Sequence, residues 1–184
     1  MWRFISKIIF FVTGWKVVGD YPVEIKKAVL IAAPHTSNWD FIFSRAGLFL
    51  MNAPAKFLIK KEWVDGPAGF LLKKLGAIPV DRKSTAKTYS FVDEISRLFP
   101  KYDKLAVMIA PEGTRKRVPR WRSGFYHIAL KANVPILFGY LDYKKKNAGI
   151  GGVFYPTGDY EGDLEKIKSF YRTVTAKYPE QGVH

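Results

Sequence analysis

The 184-residue sequence predicts a single α/β domain, a mostly parallel sheet flanked by helices, carrying an amphipathic helix at its N-terminal end. Three observations predict it. Short continuous apolar runs recur at 28–33 (AVLIAA), 105–110 (LAVMIA) and 136–141 (ILFGYL), as strands buried on both faces require. Between them, apolar residues step by three and four, the pattern of helices that cover a sheet. Finally, Trp2, Phe4, Ile5, Ile8, Ile9, Phe10, Phe11, Val12 and Trp15 crowd the first fifteen residues, punctuated only by Arg3 and Lys7.

Taken in order, that first segment is too short to span a bilayer, which needs about 20 apolar residues. Lys7 breaks the apolar core a signal peptide would need, and Gly14-Trp15-Lys16 supplies no small-residue cleavage site. Trp at both ends with flanking cations favours a helix lying in a membrane interface. A helix packed on the domain's own core is the alternative. Residues 1–18 are accordingly expected to be a membrane-interface helix, and 19–184 the α/β domain. A strand at Ala28–Ala33 leads to a helix at Phe41–Met51, a strand at Lys56–Ile59 and a short helix at Gly69–Leu75. Ala77–Val80 follows as a strand, with Pro79 pointing to a sheet edge or a strand end. Tyr89, Val92, Ile95 and Phe99 mark a helix opening near Ser84. Then come a strand at Leu105–Ala110, a helix at Phe125–Ala132, a strand at Ile136–Leu141 and a turn at Lys144-Lys145-Lys146. Leu164, Ile167, Tyr171, Val174 and Tyr178 predict one closing helix.

Composition narrows the chemistry. The chain has no Cys, which excludes disulfides, thiolate metal sites and a Cys nucleophile. Three His leave few metal sites possible, and none is expected. Thirty Lys and Arg against sixteen Asp and Glu give +14, pointing to a polyanionic partner: nucleic acid, an anionic membrane surface or phosphorylated substrates.

Two polar clusters follow directly on buried strands, where α/β proteins place their sites. The first is Pro34-His35-Thr36-Ser37-Asn38-Trp39-Asp40, the second Pro111-Glu112-Gly113-Thr114-Arg115. On a regular helix His35 and Asp40 would stand about 140° apart. With His35 in the turn and Asp40 in the first helical turn, the carboxylate can fold back to the imidazole, the arrangement of a general base. Ser37 and Asp40 also satisfy a helix-capping pattern, so the spacing alone is weak.

The order of blocks resembles the glycerolipid acyltransferases, the 1-acylglycerol-3-phosphate acyltransferase family and its relatives. HTSNWD matches the family's H-x4-D, and Gly76–Arg82 resembles its second block. Pro111–Arg115 (PEGTR) matches the third, and Val134-Pro135-Ile136 the fourth. Lys116 stands where the family usually has Ser, Phe138 where it often has Pro, and Ala110 where a larger residue precedes the Pro. These departures bear on substrate preference. The resemblance implies a fatty acyl group passing from an acyl thioester, acyl-CoA or acyl carrier protein, to a hydroxyl of a lysophosphatidic acid-like acceptor in phospholipid biosynthesis. His35 would be the base and Asp40 its partner, with no cofactor beyond the donor substrate. Arg82 and Arg115 would clamp the acceptor's phosphate, Glu112 would bind an acceptor hydroxyl, and Gly113 and Thr114 would complete that site. The run Arg115–Arg122 has five cations and no acid; it reads as a ligand for headgroups, CoA or carrier protein, or as a solvated loop. His127 reads as structural. The resemblance further implies a peripheral protein on the cytoplasmic face of the cell membrane. Other lipid acceptors are the alternative within the same chemistry. A non-catalytic membrane- or nucleic-acid-binding protein would leave His35, Asp40 and PEGTR unexplained, and no nucleic-acid partner is expected.

Overall fold

The computed structural model describes residues 1–80 and 88–183, with side chains throughout except at 88–90. Seven strands form one sheet in the order β1-β7-β6-β2-β5-β3-β4. These are β1 (Lys16–Val18), β2 (Lys27–Ala32), β3 (Ala55–Lys60), β4 (Ala77–Val80), β5 (Leu105–Ile109), β6 (Ile136–Asp142) and β7 (Asn147–Phe154). Every neighbouring pair is parallel except β6–β7, a hairpin. Its turn is the predicted lysine cluster. Pro79 does lie on an edge strand, where its missing N–H breaks no ladder.

Among the described residues the α-helices are α1 (Trp2–Thr13), α2 (Asn38–Leu50), α3 (Lys61–Asp65), α4 (Gly69–Lys74), α5 (Thr88–Ser96), α6 (Gly124–Ala132) and α7 (Tyr160–Tyr171). The expected opening of α5 near Ser84 lies outside the described residues. The closing helix is shorter than its spacing predicts. It ends at Tyr171, and residues 172–178 turn back until the Tyr178 N–H reaches Thr36 Oγ1 at 3.4 Å. The first eighteen residues are also more than a helix, because Lys16–Val18 pairs in parallel with β7 as an edge of the sheet.

Strand alternation divides the core. Val29, Ile31, Leu105, Val107, Ile136 and Phe138 point to one face and meet α5, α6 and α7 through Ile95, Phe125, Ile128 and Ile167. Ala28, Leu30, Ala106 and Leu137 point to the other, against Leu48 of α2. There α1 lies on α2: Phe10 and Trp15 are buried with Phe43, Ala46, Leu141 and Ala148, and Trp2 stacks on Phe49 at 5.9 Å. Gly14, with φ 73, ends α1 in the left-handed conformation that a side chain would strain. Arg45 ties α2 to β3 by donating to the Ala55 carbonyl at 3.0 Å. Burial lowers its pKa to about 10. Right-handed crossovers place α3 and α4 on this same side.

Candidate active site

β2 and β5 are parallel neighbours in register, Ile31 beside Ile109, so the loops at their carboxyl ends lie together. After β2 the chain turns at Pro34 and starts α2 at Ser37, whose hydroxyl accepts from the Trp39 N–H at 3.2 Å. Asp40, in the first helical turn, reaches back. Its Oδ2 accepts the N–H groups of Thr36 at 2.7 Å and Ser37 at 2.8 Å, and stands 3.3 Å from His35 Nδ1. The capping box and the His–Asp pair are therefore one structure: the carboxylate that starts the helix also holds the imidazole. His35 is 28% exposed and Asp40 only 6%. Burial raises the Asp40 pKa, but hydrogen bonds from His35, Tyr143, Ser37 and Thr36 outweigh it and hold the carboxyl below its usual value. An ionised Asp40 accepts a hydrogen bond from Nδ1–H, leaving Nε2 free to accept a proton.

The Glu112 carboxyl, for which an acceptor hydroxyl was the expected partner, lies against the backbone of the first loop. Its Oε1 accepts the His35 N–H at 3.2 Å, while its Oε2 is buried with no hydrogen-bond partner among the described residues. Burial pushes its pKa up to about 7, against the hydrogen bonds that oppose the rise. Gly113, with φ +65, is exposed, and the Arg122 side chain lies over it: a Cβ there would fall 2.7 Å from Arg122 Nε. Thr114 accepts from the Lys116 N–H at 3.3 Å, and Arg115 Nη1 donates to the Asn38 side-chain carbonyl. Arg82 lies outside the described residues. The basic run 115–122 is a loop whose cations are exposed. His127 sits on α6, on the opposite side of the sheet, 6.1 Å from the ring of Tyr160.

A cavity of about 560 Å³ opens beside His35 and Asp40 and runs between α2 and the sheet. Phe41, Ser44, Gly47, Leu48 and Met51 line it from the helix, and Leu30, Leu58, Met108, Gly139, Leu141 and Ala148 from the strands. Small residues leave the room: a Cβ at Gly47 would come within 3.1 Å of Ala148, and one at Gly139 within 2.7 Å of the Ile31 carbonyl. Asn38 and Arg115 stand with His35 among its polar lining residues. Two residues of the site escape sequence reasoning. Asn38 lies within the first motif but carries no signal of its own. Tyr143, whose hydroxyl donates to Asp40 Oδ1 at 2.6 Å, comes from 103 positions away. Among the described residues, no helix is long and apolar enough to cross a membrane.

A buried strand delivers a His–Asp pair to the mouth of an apolar cavity with an arginine at the rim, an arrangement suited to general-base chemistry beside an apolar ligand. The acyltransferase family model matches residues 14–137, and the chain belongs to that family, in agreement with the order of its sequence blocks. Among curated proteins no relative matches it. Among solved structures it is similar to the 1-acyl-sn-glycerophosphate (LPA) acyltransferase PlsC from Thermotoga maritima. The TM-score is 0.59 at 14% identity, over 94% of this chain and 76% of the other, a likeness of fold.

Proposed function

We propose that this protein moves a fatty acyl group from an acyl thioester, acyl-CoA or acyl carrier protein, to a hydroxyl of a lysophosphatidic acid-like glycerol phosphate. The observation that carries this reading is the His35–Asp40 pair at the mouth of a cavity whose walls are mostly hydrocarbon. His35 Nε2 takes the acceptor's hydroxyl proton as that oxygen attacks the thioester carbonyl. The carbon–sulfur bond then breaks, and the imidazolium, stabilised by Asp40 until then, gives its proton to the leaving thiolate and returns to the neutral base. The cavity houses an acyl chain; its volume lies within the roughly 300–1,000 Å³ of pockets that enclose small ligands. Arg115, held at the rim by Asn38, takes the acceptor's phosphate, and the motif assigns Arg82 to the same anion. Gly113 and Thr114 belong to this acceptor end, and Glu112 braces the His35 loop. The test is thioester consumption over a panel of lysophospholipid and glycerol phosphate acceptors, with products identified by mass spectrometry. Product is expected from a phosphorylated acceptor, and turnover should fall at least 100-fold in His35→Ala. Near-wild-type turnover in that variant would remove the mechanism.

The same reading places the protein peripherally on the cytoplasmic face of the cell membrane. α1 buries Ser6 and Phe10 inward and exposes Phe4, Ile8, Phe11 and Val12 outward beside Arg3 and Lys7. It thus both packs on α2 and offers an apolar face, an arrangement suited to an interfacial helix. Replacing Phe4 and Phe11 by Ser leaves Phe10 seated. That double variant should lose the salt-resistant part of binding to anionic phospholipid vesicles and keep the part that salt screens. Undiminished salt-resistant sedimentation would exclude α1 as the anchor.

A further inference from the structure

Tyr143 lies outside every motif of the sequence, immediately after β6. Its hydroxyl bonds to Asp40 Oδ1 at 2.6 Å, the oxygen that the loop amides and His35 leave unused. A carboxylate held through Oδ2 alone can turn about its Cβ–Cγ bond; a donor on Oδ1 fixes its plane, and with it the direction of the bond to His35 Nδ1. The tyrosine ring is itself held on several sides. Trp15 meets it edge-on at 4.9 Å and 88°, Phe43 at 6.2 Å and 82°, and its backbone N–H donates to the Thr175 carbonyl at 2.9 Å. Trp15 follows directly on the Gly14 cap of α1: its N–H donates to the Phe10 carbonyl at 2.9 Å, and its ring stacks on Phe43 at 4.5 Å. Lys146, from the same hairpin as Tyr143, donates to the Thr13 carbonyl at 3.0 Å.

We propose that Tyr143 is a positioning residue for the His35–Asp40 pair, and that Trp15 holds it in place, so that the seat of α1 is joined to the orientation of the base. The role in turnover rests on the reading of His35 as the base of acyl transfer. The titratable groups around this bond are His35 and Glu112 on the Asp40 side and Tyr178 beyond Tyr143. Burial first, and then the neighbouring Asp40 carboxylate, raise the Tyr143 pKa, so the phenol stays a donor at any pH at which a histidine base works.

The test is Tyr143→Phe in the full chain, which removes the hydroxyl and keeps the ring between Trp15 and Phe43. We expect kcat for acyl transfer to fall about tenfold, the scale of one hydrogen bond to a charged group, with KM within about twofold of wild type. A second readout needs no turnover. The ring N–H proton of His35, identified by its loss in His35→Ala, should shift and exchange faster with water in Tyr143→Phe by NMR. Trp15→Phe should lower kcat less, and should add nothing in the Tyr143→Phe background, because the two act through one contact. Wild-type kcat and an unmoved His35 signal in Tyr143→Phe would overturn the proposal, and additive losses in the double variant would overturn the part assigned to Trp15. If the wild-type chain transfers no acyl group to any acceptor, the reading of function fails, while the NMR measurement still decides whether Tyr143 fixes the pair.

Discussion

On one side of the sheet, α5, α6 and α7 pack the largest fully buried side chains among the described residues, Tyr126, Tyr171 and Phe125, into a continuous core. On the other, α2 packs Phe43, Ala46 and Leu48 into two smaller clusters and leaves a cavity beside them, over Ala32, Gly139 and Ala148. Among the helices, the large exposed apolar residues lie mostly on α1 to α4, Phe4, Phe11, Trp39, Trp63 and Phe70 among them, while α7 turns Glu161 and Glu165 outward. The buried polar groups differ as well. Asp163 is a structural knot, accepting from the Tyr126 hydroxyl at 2.7 Å and from Thr157 at 2.7 and 3.0 Å. Asp40 spends the same kind of network on holding a histidine at an opening. One side of the sheet maintains the fold, and the other gives up packing to make room for a ligand.

Two substitutions would break this division if it were wrong. The largest effect is expected at His35→Ala, a loss of at least about 100-fold in kcat, with little change in thermal stability because the side chain is partly exposed. Ile128→Ala, on a fully buried face of α6, should do the reverse. It should cost about 2–5 kcal/mol of stability while the folded fraction turns over at the wild-type rate. Calorimetry and active-fraction kinetics on the two variants check both, and a kinetic defect in folded Ile128→Ala would join the faces that the packing separates.

What was legible in the sequence follows the same line. The strands at 28–33, 105–110 and 136–141 could be read because burial on both faces leaves an unbroken apolar run. β7 could not, since its Gly-rich segment NAGIGGVF is half exposed and pairs antiparallel at the side of the sheet. The steps through Val174 and Tyr178 imitate a helix, but Val174 is half-buried in a turn and Tyr178 is exposed, and spacing alone cannot tell such a turn from a further helical turn. At the site, His35 and Asp40 are legible as a pair because one short loop carries both. Tyr143 and the Glu112 contact to the His35 backbone are not, because each depends on a strand crossing that brings distant segments together. The division of α1 between packing and exposure was likewise beyond composition: both uses of the helix call for the same apolar residues.

The two carboxyls of the site sharpen the comparison through pH. Asp40 has a lowered pKa, so its contribution to stability is present above the ordinary carboxylate range and is lost as pH falls through its folded value. Glu112 runs the other way. Burial raises it from 4.5 to about 7, so below 4.5 both folded and unfolded states hold the proton. Between 4.5 and about 7 only the folded state does, and stability therefore falls as pH rises through that window. Glu112→Gln cannot ionise, and its amide oxygen can still accept the His35 N–H. Urea midpoints from pH 4.5 to 7.5 should decline more for wild type than for Glu112→Gln; parallel curves would mean that Glu112 titrates as an ordinary surface acid.

The smallest effect is expected inside the cavity, where it tests what the open side of the sheet is for. Ser44 lines the cavity from the middle of α2, and its hydroxyl donates to the Phe41 carbonyl of its own helix, at 3.1 Å. Ser44→Leu removes that bond, introduces a better helix former and projects a branched apolar side chain into the space. The helix should keep its place, since Leu48 already packs one turn further along the same side. If the cavity houses an acyl chain, the variant should accept shorter thioesters as well as wild type does and lose the longest ones. Excluding two methylenes at about 0.8 kcal/mol each corresponds to a loss of roughly tenfold in kcat/KM for the longest good donor. The ratio of rates for long and short donors isolates this from any general defect, because misfolding or a displaced His35 would lower both together. An unchanged ratio would mean that the acyl chain lies elsewhere, and the packing given up beneath α2 would then need another occupant.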